Sequence, residues 1–147
     1  MPPGELEEAV SSAFAYLTES FGFKRLSATA HGREFWSTFH NETTAVTVHY
    51  EIGGPVWVEL ARLETYSGKR VERDRCALEF LLQERAPQEP SLPWRTDEDL
   101  CFMIREKARQ LREYGSDILN GDFRIVPRLK ELAAENLRRR NATEGRR

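Results

Sequence analysis

The sequence predicts an α+β fold: an antiparallel four-strand meander preceded by one helix and followed by about three helices packed mainly on one face. Three observations predict it. Consecutive stretches from Glu34 to Glu64 alternate apolar and polar residues with short turn signals between them, which is the pattern of half-buried strands. Apolar residues outside that region recur at spacings of three and four, the pattern of amphipathic helices. The two patterns are segregated along the chain, which argues for layered α+β structure and against a doubly wound parallel sheet.

The first helix is expected from Glu5 to Ser20. Leu6, Val10, Ala13, Phe14 and Leu17 form its apolar stripe, Glu5, Glu7 and Glu8 place negative charge in its first turn, and Gly22 ends it. Phe23 to Ala30 reads as the first strand, closed by His31 and Gly32. A two-residue turn at Asn41 and Glu42 would set Phe35, Ser37 and Phe39 across from Val48, Val46 and Thr44. A three-residue loop of Gly53, Gly54 and Pro55 would set Ile52 against Val56, Tyr50 against Val58 and Val48 against Leu60. A loop shorter by one residue would mix the faces, because a one-residue slip turns every side chain over. The expected core face is therefore Phe35, Phe39, Val46, Val48, Tyr50, Ile52, Val56, Val58 and Leu60. The opposite face carries Glu34, Trp36, Thr38, Ala45, Thr47, His49, Glu51, Trp57, Glu59, Ala61 and Leu63.

After Ser67 and Gly68, Leu78, Leu81 and Leu82 predict a second helix over Val71 to Arg85. Residues 86 to 93 hold three prolines and read as a connector. Thr96 with Asp99 resembles a capping box opening a third helix, with Leu100, Met103, Ile104, Ala108 and Leu111 inward and Gly115 as its stop. A turn over Ser116 to Phe123 leads to a last helix beginning at Pro127, with Leu129, Leu132, Ala133 and Leu137 inward. Residues 1–140 are expected to be one domain and 141–147 a disordered basic tail, since 147 residues is close to the modal size of a single domain.

The formal charge of -2 conceals an asymmetry. Residues 1 to 68 carry four Lys or Arg against nine Asp or Glu, a net of -5, which leaves the remainder at +3. Neither half is basic enough for nucleic acid, and no aromatics interleave with the arginines near the C-terminus. The opening Met-Pro-Pro-Gly-Glu lacks the basic and apolar regions of a secretory signal, and no run of about 18 apolar residues is present. The expected location is the cytoplasm, with Cys76 and Cys101 as free thiols on helical segments and no membrane partner.

The expected register aligns Glu34, His49 and Glu59 in one row of the outer face, with Trp36 and Trp57 nearby. A histidine between carboxylates is placed to carry a proton or meet a cationic partner, but no nucleophile accompanies it. His31, His40 and His49 do not converge, so neither metal nor cofactor is expected, and Gly-rich phosphate loops and nucleophile elbows are missing from the sequence. Asp117 and Asp122, bracketing Gly121, are explained by capping and turn duties. Exposed tryptophans are enriched in protein interfaces, which makes Trp36 and Trp57 the stronger feature if no helix covers them.

The segment Arg112-Glu113-Tyr114-Gly115-Ser116-Asp117-Ile118-Leu119-Asn120-Gly121-Asp122-Phe123 resembles the tail of small uncharacterised bacterial proteins, some of them grouped with the immunity proteins of toxin systems. The resemblance covers about a dozen residues, implies a bacterial cytosolic protein, and brings no catalytic motif. The expectation that follows is a non-enzymatic protein-binding module, immunity-like or an adaptor, using Trp36, His49, Trp57, Glu34 and Glu59 for a protein partner or for dimerisation. The alternative is a small-molecule-binding protein or enzyme with a cleft between sheet and helices, lined by Phe35, Phe39, Tyr50 and Trp94.

Overall fold

The computed structural model describes residues 3–89 and 100–144. Its order is α1 (Pro3–Ala13), α2 (Ala15–Phe21), β1 (Lys24–His31), β2 (Glu34–His40), β3 (Thr44–Glu51), β4 (Val56–Tyr66), β5 (Lys69–Ala77), α3 (Leu78–Arg85), α4 (Leu100–Tyr114), α5 (Ser116–Leu119) and α6 (Val126–Glu144). The α+β class and the antiparallel meander are as expected, but the sheet has five strands, in the order β1-β2-β3-β4-β5.

The fifth strand corrects the expected helix over Val71 to Arg85, of which only Leu78–Arg85 is helical. Ser67 and Gly68, at φ 51° and 77°, are a two-residue loop with both residues left-handed, the geometry whose twist matches a hairpin. The loop folds Lys69–Ala77 back on β4, and Cys76 therefore sits on a strand rather than a helix. Charged residues dominate this strand, so no alternation advertised it; ion pairs to β4 replace apolar packing, with Arg62 to Asp74 at 2.8 Å and Arg75 to Glu59 at 3.4 Å.

The single N-terminal helix is in fact two, broken at Phe14. Phe14 is fully buried, with its ring stacked 6.2 Å from that of Phe39, so core packing rather than a helix-breaking residue sets the bend. Gly22 closes α2 at φ 70°, and Phe23 donates its N–H to the Leu17 carbonyl at 3.0 Å, a left-handed helix end that glycine accommodates. Further along, α6 continues to Glu144, four residues beyond the expected end of the domain, and Leu137 on it is 55% exposed rather than inward. The expected capping box at Thr96 and Asp99, and Trp94, lie outside the described residues.

Both hairpins pair two residues away from the expected register. Asn41 accepts the N–H groups of Thr43 and Thr44 through its side-chain oxygen at 2.9 and 2.8 Å, which widens the first turn so that His40 pairs with Ala45. The second loop closes on Tyr50 opposite Val56, with Gly54 donating to the Glu51 carbonyl at 2.8 Å. A slip of two preserves the faces. Phe35, Phe39, Val46, Val48, Tyr50, Val56, Val58 and Leu60 are all buried in the main core as expected, whereas Ile52 falls in the turn and is 50% exposed.

That core unites the inward side chains of the sheet with apolar residues of all six helices, including Leu6, Leu17, Leu81, Met103, Ile118 and Leu129. The helices thus share one side of the sheet. On the other side the buried apolar residues are a small separate cluster of Ala45, Ala61 and Leu63.

Candidate binding face

The free side of the sheet takes its geometry from strand alternation. Trp36 on β2 pairs with His49 on β3, which in turn pairs with Trp57 on β4, so the three rings stand in one row across three adjacent strands. The imidazole of His49 stacks on the Trp36 indole with centroids 3.7 Å apart and planes 16° from parallel. Trp36 is 38% and Trp57 41% exposed, against the near-complete burial of the aromatics on the other side. The tryptophans are therefore open to solvent among the described residues.

The acidic members are arranged differently from the expected row. Glu34 pairs with Glu51, one row beyond the aromatics, and reaches His49 diagonally, Oε1 to Nε2 at 3.8 Å. Glu59 pairs with Thr47 and turns to Arg75. The Glu34–His49–Glu59 row is thus replaced by Trp36–His49–Trp57, because each strand is displaced by two positions. The Nε2 atom of His49 is buried and forms no hydrogen bond. Glu51 joins the site in a way the expected register concealed, although its parity had already placed it on this face.

His40 lies at the far end of the sheet, 3.8 Å from Glu72, with burial lowering its pKa and the Glu72 carboxylate opposing that shift. His31 faces Glu34 across β1 and β2. No group of three or more His, Cys, Asp or Glu among the described residues is placed to hold a metal ion. Asp117 accepts a two-pronged contact from Arg85 at 2.7 and 2.6 Å, which with burial opposing it holds the carboxyl below its usual range. Asp122 is held at about 2 chiefly by the Arg124 guanidinium beside it. Burial pushes the Cys76 thiol up to about 11, so it stays protonated at neutral pH; Cys101 is half-buried on α4.

Phe35, Phe39 and Tyr50, expected to line a cleft between sheet and helices, are instead packed in the core. An open depression of about 430 Å³ does lie between the β4–β5 edge and α6, lined by Arg62, Asp74, Phe123, Val126, Pro127 and Lys130. Its charges answer one another: Asp74 takes Arg62 at 2.8 Å and Lys130 at 2.9 Å, an arrangement that docks α6 onto β5. No helix of the described residues is long and apolar enough to cross a membrane.

Fold and site together define an α+β protein with an open sheet face bearing an aromatic row. Compared with protein-family models, with curated proteins and with solved structures, the chain has no match.

Proposed function

We propose that this chain is a non-enzymatic protein-binding module, immunity-like or an adaptor of a bacterial cytosol, which holds a partner protein on the free face of its sheet. The observation that carries the reading is the row in which exposed Trp36 and Trp57 flank the half-buried His49, on a face that no described helix covers. Rigid aromatic side chains lose little conformational freedom on binding and bury large areas, which is why they recur as interface anchors. Strand pairing fixes their backbone, and the Trp36–His49 stack holds two of the rings against each other. The acidic balance of residues 1 to 68 adds long-range attraction for a basic partner.

The test is affinity capture from the source cell with the native chain and with Trp36→Ala/Trp57→Ala, each retained fraction identified by mass spectrometry. A partner held by the native chain and lost by the double variant is the expected result. A partner held equally by both would remove the sheet face from the account.

A further inference from the structure

We infer that the occupant of this face is a basic segment of a partner protein, whose Arg or Lys side chain is received by Glu34 and Glu51 beside the aromatic row. The inference rests on the proposed binding role of the face and specifies the chemistry of what binds there. Glu34 and Glu51 stand directly opposite each other on β2 and β3. Like charges in that position oppose strand pairing, so the arrangement costs stability unless a cation joins it. Neither carboxylate forms an ion pair with a Lys or Arg among the described residues; Glu34 reaches only the imidazole of His49.

Two of the arginines near this face are engaged elsewhere, and His31 opposite Glu34 and Arg33 beside it form no ion pair with either carboxylate. Arg75 serves Glu59 and Glu72, and Arg70 donates to the carbonyls of Asn41 and Glu42. What is left open is a pair of carboxylates one row from two exposed indoles. An incoming arginine can lay its stem and guanidinium against an indole while its N–H groups meet a carboxylate, two interactions that reinforce each other once water is displaced. A second copy of the chain fits poorly. A two-fold dimer through this face would bury the carboxylate pair of both copies in one interface and double its negative charge, because an isologous contact uses the same patch twice.

A capped hexa-arginine peptide serves as probe, titrated at about 0.15 M ionic strength, where the Debye length is about 8 Å, while the indole N–H resonances of Trp36 and Trp57 are followed, with sedimentation equilibrium of the chain alone in parallel. Saturable shifts at those resonances are expected, with affinity falling at least about tenfold in Glu34→Gln/Glu51→Gln, the loss typical of removing charge partners at an interface anchor. Glu5→Gln/Glu8→Gln, which removes the same charge from α1, should leave the affinity within about twofold, since exposed charges beyond a Debye length are largely screened.

Equal loss in both variants would overturn the inference by showing diffuse attraction, as would the absence of peptide binding. A dimer dissolved by Trp36→Ala/Trp57→Ala would overturn it in favour of a second copy. The binding role is separable: a captured partner that depends on the tryptophans but ignores Glu34 and Glu51 sinks the charge chemistry alone. Indifference to all four residues sinks both.

Discussion

Asn41 illustrates how one side chain can fix a fold while presenting itself in the sequence as a mere turn residue. Its oxygen accepts the Thr43 and Thr44 amides, and its nitrogen donates to the Phe21 carbonyl at 3.0 Å and the Leu119 carbonyl at 3.1 Å. It thereby ties the end of α2, the β2–β3 turn and α5 together, with Thr44 adding a buried hydroxyl bond to the Ile118 carbonyl at 2.9 Å. Asn41→Ala leaves several of these groups unpaired and is expected to lower the unfolding free energy by about 2–4 kcal/mol in urea titration. Asn41→Asp, which keeps the acceptor and loses both donated bonds, should fall between. The turn was legible from Asn41 and Glu42 in the sequence, but its length was not, since that is set by partners near 20 and 80 residues away. The same contacts give the Arg112–Phe123 segment a structural duty: its Leu119 and Ile118 carbonyls receive the hairpin.

At the scale of elements, what the sequence revealed depended on how each element is held. β2, β3 and β4 bury one face against helices, so their alternation wrote itself into Phe35 to Leu60, and even a two-residue error in register left every residue but Ile52 on its correct face. β5 is held by its backbone and by ion pairs at an exposed edge, so no apolar period marked it; the Ser67-Gly68 dipeptide was its one local sign. The tryptophans were assigned to the right face, whereas their alignment with His49 depended on loop geometry. Between helices, Arg85 joins α3 to α5 through Asp117 and to the end of α4 through the Tyr114 carbonyl. The Asp117 carboxyl is held below its ordinary value near 3.8, chiefly by that arginine. The pair therefore stabilises the fold fully above that value, and its contribution is lost as pH falls through the lower folded-state pKa. Asp117→Asn should reduce stability at pH 7 by about 1 kcal/mol or less, given solvent screening, and flatten the stability profile below about pH 4. Urea unfolding of both proteins across that range checks it.

For the whole molecule, the arrangement of layers matters more than any single side chain. Six helices of the described residues share one side of a five-stranded sheet, and their common core accounts for nearly all the buried apolar residues. On the sheet's other side only the small Ala45, Ala61 and Leu63 cluster is buried, and the aromatic row and the Glu34 and Glu51 carboxylates lie outside the main core. Segregation of helices from strands was readable from the order of periodicities, while the uncovered state of the tryptophans was not, because periodicity assigns a residue to a face without saying what lies over it. If the sheet face binds a partner as proposed, Trp36 and Trp57 contribute little to folding. The unfolding free energy of Trp36→Ala/Trp57→Ala against the native chain measures this. Exposed and partly stacked as they are, the pair should cost no more than about 1–2 kcal/mol together. A loss of about 3–5 kcal/mol per residue, the range for a buried tryptophan, would make them core and contradict the account.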